Sequence, residues 1–272
     1  MRVHVLQVGY GDDESVADRI DRVAAMVAEQ DGADLVVLPE LWAPTGMGYR
    51  LWAENAELLD GAAFTAIASA AKACGAYVHA GSIIERATED AAGAGLGEQG
   101  RGRWNTSAFL SPDGDLLASY RKIHRFGFAE GEPQLIEAGT DLVTVDAEID
   151  GATRRLGLAT CYDLRFPEMF RQLLDGGAQA FVVPAAWPAA RVEHWILLGR
   201  ARAIENQCVM IQCNTAGRHA GVAMGGHSQV VSAAGEVLAE AGTDEQVLVA
   251  DVDLSATQAW RERFPVLADR RL

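Results

Sequence analysis

The sequence predicts an α/β fold in which helices pack on a mixed β-sheet. Short apolar runs typical of buried strands alternate with segments whose apolar residues recur at helical spacing. Such alternation predicts a layered α/β architecture. A Ser-Pro-Asp-Gly stretch at 111–114 lies between two strand-like runs and predicts a hairpin. Part of the sheet is therefore expected to be antiparallel.

The predicted elements of the first half follow each other closely. The first helix is indicated by the apolar stripe Val16, Ile20, Val23 and Val27, and a mobile surface loop by Gly, Ala and charged residues without a period. In chain order the elements are a strand at 3–8, that helix, a strand at 35–38, a helix at 62–73, a strand at 77–84, the loop at 86–103, and strands at 104–110 and 116–120.

The second half repeats the alternation of strand and helix. Its elements are a strand at 156–160, a helix from Pro167, a strand at 180–183, a helix at 192–207, and strands at 209–213, 228–231 and 247–252. No Pro- or Ser-rich linker separates the halves, so both are expected to join one sheet system in a single domain over residues 1–272.

The charge of the chain argues against nucleic acid and membrane partners. Its net charge is -15, whereas phosphate backbones and anionic lipids are bound through basic surfaces. The apolar stretch after Met1 has neither a basic region before it nor an export cleavage site after it. We therefore expect a cytoplasmic protein.

The cysteines and histidines predict neither disulfides nor a metal site. Cys74, Cys161, Cys208 and Cys213 form no Cys-x-x-Cys pair, in a chain too large to need disulfides. They are expected to be reduced thiols. The six histidines never occur at the three- to five-residue spacing of zinc ligands.

Cys161 stands where an apolar strand ends and a turn leads into a helix. Such an elbow exposes a side chain at the carboxyl edge of the sheet and directs backbone N–H groups towards it. We expect this position to lower the thiol pKa, and the Tyr162 N–H to offer an oxyanion site. A buried, unreactive thiol is the alternative for a lone cysteine.

Two further polar residues follow predicted strands. Glu40 comes after the strand at 35–38, where it suits a general base, although acidic residues also favour the first turn of a helix. Lys122 follows the strand at 116–120 and could hold an oxyanion, although an edge-strand lysine also protects against aggregation. Each residue alone is a weak signal.

Together these residues and their neighbours resemble the three signature blocks of the nitrilase superfamily of carbon–nitrogen hydrolases. The blocks are Glu40 after a strand, Tyr-Arg-Lys-Ile-His at 120–124, and Cys-Tyr-Asp-Leu-Arg-Phe-Pro-Glu at 161–168. The resemblance continues through 184–188, 194–195, 200–207 and 226–228, and leaves only 86–103 outside it.

The resemblance implies a four-layer α-β-β-α sandwich with mixed sheets and no cofactor. It also implies a homodimer paired across helices that include the one after Cys161, or a higher homo-oligomer. It implies that Glu40 takes the thiol proton as Cys161 attacks a small amide, while Lys122 and the Tyr162 N–H hold the oxyanion. The segments at 241–245 and 263–267 are similar to the omega-amidase-like branch, whose substrates are monoamides of small dicarboxylic acids.

A second active-site glutamate is also implied, seven residues before a glycine that opens the next strand. Counting back from Gly139 indicates Glu132. The loop departs from the commoner pattern, so Glu130 or Glu137 could hold the role instead.

Trp187 follows the strand at 180–183 at the same sheet edge as Cys161. It could wall the substrate pocket, with core packing as the alternative. We interpret Asp163, Arg165 and Glu168 as structural, because a charged turn usually satisfies its own backbone.

Three alternatives to an amidase stay open at this point. The same triad would serve an N-carbamoyl amidohydrolase or a nitrilase. A general cysteine–histidine hydrolase would use His124, His194 or His227 as its base. A catalytically silent binding protein would keep the fold alone.

Overall fold

The computed structural model describes residues 1–88, 95–128 and 130–271. The helices of these residues are α1 (Val16–Ala28), α2 (Ala62–Cys74), α3 (Glu132–Leu135), α4 (Pro167–Asp175), α5 (Val192–Asn206) and α6 (Leu254–Arg263). The strands are β1 (Arg2–Gln7), β2 (Gly9–Tyr10), β3 (Leu35–Val37), β4 (Tyr77–Arg86), β5 (Arg103–Leu110), β6 (Leu116–Arg121), β7 (Val143–Ile149), β8 (Ala152–Leu158), β9 (Ala180–Pro184), β10 (Val209–Cys213), β11 (Ala216–His219), β12 (Val222–Ala223), β13 (Gln229–Val231), β14 (Val237–Glu240) and β15 (Gln246–Asp251).

Two six-stranded sheets form the centre of the molecule. One has the order β15-β1-β3-β4-β5-β6 and the other β14-β13-β10-β9-β8-β7. Each contains three neighbouring parallel strands, β1-β3-β4 and β8-β9-β10, with antiparallel strands on both sides. Both sheets are therefore mixed, as predicted. A small third sheet has the order β12-β11-β2.

The two large sheets pack face to face, and helices cover their outer faces. Alternate residues of β1 point to different layers: Val3 and Val5 share an apolar cluster with the second sheet, while Leu6 packs with apolar residues of α1 and α2. Phe170 of α4 and Trp195 of α5 pack on the second sheet. The result is the four-layer α-β-β-α sandwich.

Local signals place the helix ends. The Ser15 hydroxyl accepts the Asp18 N–H at 3.1 Å and so caps the start of α1. Gly75 ends α2 in the left-handed conformation, with a φ of 66°, which glycine adopts without a steric cost. Pro167 occupies the first turn of α4, where its missing N–H costs nothing.

Several elements differ from the sequence prediction. The strands β7 and β14 and the helix α6 were not predicted, although β7 alternates apolar and polar residues. The single sheet system expected from apolar periodicity is two packed sheets, because periodicity identifies a strand and not its partners; the four-layer sandwich implied by the resemblance is confirmed.

The loop predicted at 86–103 is shorter, since β4 reaches Arg86 and β5 begins at Arg103. Residues 89–94 lie outside the described part of the chain. The end of the loop is held by the buried carboxylate of Glu137, which accepts the N–H groups of Gln99 at 2.9 Å and Arg101 at 2.7 Å.

Candidate active site

The residues predicted for the site lie at strand ends from both large sheets. Glu40 follows β3, Lys122 follows β6, and Cys161 follows β8. The Ala186 N–H, just after β9, donates to Oε2 of Glu40 at 2.9 Å and joins the two sheets there. The two halves of the chain therefore meet in one pocket, whose lining includes Glu40, Lys122, Phe126, Glu132 and Cys161.

Cys161 occupies the elbow that its sequence position predicts. It begins a 3₁₀ turn, Cys161–Arg165, and its φ of 48° is uncommon for a residue with a side chain. Such a conformation persists only where the surroundings hold it. Here the buried carboxylate of Asp163 accepts the Thr160 N–H at 2.8 Å and the Tyr120 hydroxyl at 2.7 Å, which anchors the turn.

The thiol of Cys161 is nearly buried, with 8% of the residue exposed. Burial first, and then the neighbouring Glu40 carboxylate, raise the pKa of the thiol well above its ordinary range, and Lys122 only partly opposes this. The expectation that the elbow lowers the thiol pKa is therefore wrong. A thiol that stays protonated at neutral pH needs an adjacent base, and Glu40 is the carboxylate beside it.

Lys122 lies between two carboxylates. Its Nζ donates to Oε1 of Glu40 at 2.8 Å and to Oε1 of Glu132 at 2.9 Å. At most 4% of each of these three side chains is exposed. Burial alone would lower the pKa of Lys122, but the charges of Glu132 and then Glu40 outweigh it and hold that pKa well above its ordinary range. Lys122 is therefore a fixed, buried cation.

Glu132 is the candidate among the three loop glutamates that contacts Lys122. Glu130 is exposed, and Glu137 binds the loop backbone described above. The Phe126 N–H donates to the second carboxylate oxygen of Glu132. Burial raises the pKa of Glu132, and the charge of Lys122 opposes that rise.

Asn105 of β5 belongs to this cluster and was missed in the sequence. Its Nδ2 donates to Oε1 of Glu40 at 2.8 Å and to Oε1 of Glu132 at 3.0 Å. The sequence signal was weak: an asparagine inside a predicted strand, where an amide that becomes buried requires hydrogen-bond partners.

Tyr162 and Trp187 both line the pocket that borders Cys161. We find no acceptor for the Tyr162 N–H among the described residues, as is usual for the first N–H groups of a helical turn. Trp187 is 3% exposed, donates its Nε1–H to the Arg191 carbonyl at 2.7 Å, and packs on Trp195 with ring centroids 5.5 Å apart. Trp187 thus combines pocket lining with core packing.

The three histidines considered as alternative bases have other partners. His124 Nδ1 lies 2.8 Å from Oδ1 of Asp163, and its ring stacks on Phe166. His227 Nδ1 lies 3.1 Å from Oε1 of Glu240. His194 is exposed, with Nδ1 3.4 Å from the guanidinium of Arg165. None of the three histidines lines the pockets that contain Cys161.

The buried cluster thus combines a nucleophile, a carboxylate and a cation. The model of the carbon-nitrogen hydrolase family matches residues 2–262. The chain belongs to this family. It is 44% identical over 269 residues to a 2-oxoglutaramate amidase of Paenarthrobacter nicotinovorans, covering 99% of this chain and 89% of that protein. It is 35% identical over 266 residues to omega-amidase NIT2 of Homo sapiens, covering 94% of this chain and 90% of that protein.

A solved structure agrees with this assignment. A CN-hydrolase superfamily protein from Xanthomonas campestris, which carries an arsenic adduct in its active site, superposes with a TM-score of 0.86. The two are 30% identical, and the match covers 100% of this chain and 97% of that one. The protein is therefore a nitrilase-superfamily hydrolase of the amidase class, as its motifs predicted.

The described residues contain neither a cluster of metal ligands nor a membrane-spanning helix. No set of three or more His, Cys, Asp or Glu side chains there could hold a metal ion. In the same residues, no helix combines the length and the apolar character that crossing a membrane requires.

Proposed function

We propose that this hydrolase cleaves the amide of small dicarboxylic acid monoamides and releases ammonia and the dicarboxylate. The relatives named 2-oxoglutaramate amidase and omega-amidase support this substrate class. The observation that carries the chemistry is the buried cluster in which Lys122 contacts Glu40 and Glu132 beside the Cys161 elbow.

In the first half-reaction Glu40 acts as the general base. Its carboxylate takes the Cys161 thiol proton as sulfur attacks the amide carbon and the carbonyl electron pair moves to oxygen. Glu40 then returns the proton to the amide nitrogen as the C–N bond breaks and ammonia leaves. A thioester on Cys161 results.

In the second half-reaction water attacks the thioester carbon. Glu40 takes a proton from this water and passes it to sulfur when the C–S bond breaks. The raised pKa of the thiol makes this proton transfer necessary, because a sulfur of high pKa departs poorly as a thiolate. The carboxylic acid is released, and Cys161 regains its proton.

Lys122 and the Tyr162 N–H hold the oxyanion in both half-reactions. Each donor supplies on the order of 3 kcal/mol of transition-state stabilisation in sites of this kind. Glu132 is a positioning residue, since its hydrogen bond at 2.9 Å helps to fix the Lys122 ammonium. Trp187 forms a wall of the substrate pocket.

The test is ammonia release from succinamate, glutaramate and 2-oxoglutaramate by the wild type, Cys161→Ala and Cys74→Ala. Cys74 is the matched control, because it is a thiol at intermediate burial on α2. We expect release by the wild type and Cys74→Ala, and none by Cys161→Ala. Ammonia released together with carbon dioxide from N-carbamoyl compounds, but not from any monoamide, would overturn the proposed substrate class.

We also infer that the hydrolase is a homodimer. Leu197 and Ile204 on α5 are 67% and 54% exposed, and their seven-residue spacing puts them on one face of the helix. An apolar face of this kind supports a contact between two copies through the outer helical layer.

We also infer that residues 1–272 form a single catalytic domain and that the protein works in the cytoplasm. The family match over residues 2–262 supports one domain. All four cysteines are free thiols, which suits a reducing compartment.

A further inference from the structure

Two arginines beside the nucleophile lack an acidic partner. Arg165 and Arg191 line the pocket that Cys161 also lines, and both are half-buried. Neither guanidinium forms an ion pair with a carboxylate within the described residues. Two positive charges therefore line the pocket of the nucleophile without a carboxylate to neutralise them.

The contacts of these arginines orient them without neutralising them. The Arg165 guanidinium lies 4.7 Å from the centroid of the Trp187 ring, and the Arg191 guanidinium lies 5.4 Å from that of Phe126. The sequence suggested a structural role for Arg165 in the turn after Cys161. The turn is anchored by Asp163 instead, which leaves Arg165 free to serve the pocket.

The two cations also repel each other. Burial first, and then the charge of Arg191, lower the pKa of Arg165. An anion bound at the two guanidinium groups would relieve this repulsion. A carboxylate fits best, because its two oxygens match the paired N–H donors of a guanidinium.

The arginine side of the pocket is continuous with the catalytic side. Met47, Phe126, Cys161 and Ala186 line both the part with the arginines and the part with Glu40 and Lys122. A substrate whose amide lies over the Cys161 sulfur and faces Lys122 can therefore extend its other end towards the arginines. In a dicarboxylic acid monoamide, that other end is a carboxylate.

We propose that Arg165 and Arg191 bind the distal carboxylate of the substrate, and that Arg191 is a specificity-determining residue on the turn after Trp187. This inference rests on the proposed function and adds the feature that separates anionic monoamides from neutral amides. This part of the pocket is narrow, and Met47 is the flexible unbranched side chain in its lining.

The experiment compares succinamate with butanamide, a neutral amide of the same chain length, in the wild type and in Arg165→Gln, Arg191→Gln and Arg191→Lys. Arg263→Gln is the matched control for the charge change, because Arg263 is an exposed residue of α6. The preference is the kcat/KM for succinamate divided by the kcat/KM for butanamide. We expect Arg165→Gln and Arg191→Gln each to lower this ratio at least tenfold, mainly by raising the KM for succinamate. Arg191→Lys should keep part of the preference, and Arg263→Gln should keep all of it.

Binding of succinamate to Cys161→Ala, measured by calorimetry, separates this inference from the proposed function. Binding weakened at least tenfold by Arg191→Gln supports the inference, even if the wild type releases no ammonia and the proposed function fails. Monoamide hydrolysis with an unchanged succinamate preference in both Arg-to-Gln variants overturns the inference and leaves the proposed function standing. An equal loss for both substrates overturns it as well, since a general structural defect acts on both.

Discussion

The side chains that contact Glu132 determine its role in the site. In the sequence it is one of three glutamates in a loop, and only its distance of seven residues from Gly139 distinguishes it from the other two. In the fold it is 3% exposed and shares Lys122 and Asn105 with Glu40. Glu130 points to solvent and Glu137 is occupied by backbone donors. A buried carboxylate is stable only with such partners, so the contacts and not the spacing distinguish Glu132.

Glu132→Gln is therefore expected to lower kcat by about a hundredfold while the fold is kept. Glutamine has nearly the same shape, but it removes one of the two negative charges that hold the Lys122 ammonium. Steady-state ammonia release measures the change, and circular dichroism checks the fold. Glu130→Gln is the matched control, because it removes a charge from the same loop at an exposed position. A loss of similar size in Glu130→Gln would contradict the assignment.

The 3₁₀ turn at Cys161–Arg165 is the element on which the nucleophile depends. Its first residue has a positive φ, and the Asp163 carboxylate ties it to its surroundings with four accepted hydrogen bonds. Oδ2 accepts from Tyr120 and Thr160, while Oδ1 accepts the backbone and ring N–H groups of His124. Tertiary contacts to Tyr120 and His124 therefore add to the hydrogen bonds that the turn makes within itself.

Asp163→Asn is expected to lower the free energy of unfolding by about 3 kcal/mol. In asparagine an NH₂ group replaces one of the two carboxylate oxygens, and each of those oxygens accepts from two donors. Whichever way the amide is turned, two buried hydrogen bonds are lost. Urea denaturation measures the change, and ammonia release should fall with it because the Cys161 backbone is released. Glu168→Gln, an exposed change in the following helix α4, should alter stability by less than about 0.5 kcal/mol. Equal stability of both variants would show that the turn does not need the Asp163 carboxylate.

The whole molecule is two similar halves packed face to face. In each sheet the successive neighbours are antiparallel, parallel, parallel, antiparallel and antiparallel, although the sequence shows no repeat by identity. Cys213, at the end of β10, lies between the sheets, with its Sγ 3.2 Å from the Leu6 carbonyl oxygen and 3.4 Å from that of Val37. Burial raises the pKa of this thiol well above its ordinary range.

The position of Cys213 predicts a loss of stability in alkali. In the unfolded chain its thiol has a pKa of about 8.5, and in the folded chain the pKa is higher, so its stabilising contribution is full below about pH 8.5 and is lost as pH rises through the folded pKa. Cys213→Ala should reduce the fall in unfolding free energy above pH 8.5 by up to about 1.4 kcal/mol per pH unit. Urea denaturation between pH 7 and 10 measures this slope. A slope identical to that of the wild type would contradict the raised pKa.

The exposed apolar face of α5 predicts which substitutions change the oligomeric state. Replacing both Leu197 and Ile204 by Glu should convert the homodimer to monomers, because the pair of charges would be buried without partners in a contact on that face. Light scattering after size-exclusion chromatography gives the mass. A wild type that runs as a monomer would contradict the proposed homodimer.

The sequence by itself determined the order of most helices and strands, the mixed sheets, and the three blocks that carry Glu40, Lys122 and Cys161. These features are local, since they depend on apolar periodicity, turn residues and short motifs within one segment of chain. The resemblance carried by those blocks also implied the two sheets of a four-layer sandwich and a second active-site glutamate. Only the tertiary structure decided which of the three loop glutamates contacts Lys122, that Asn105 joins the cluster, and that Arg165 and Arg191 line the pocket without an ion pair among the described residues. Burial and the identity of contacting groups also set the raised pKa of the Cys161 thiol, which its place at an elbow alone predicted in the wrong direction. The reason is physical: desolvation and charge act over a few ångströms in space, between residues that lie far apart along the chain.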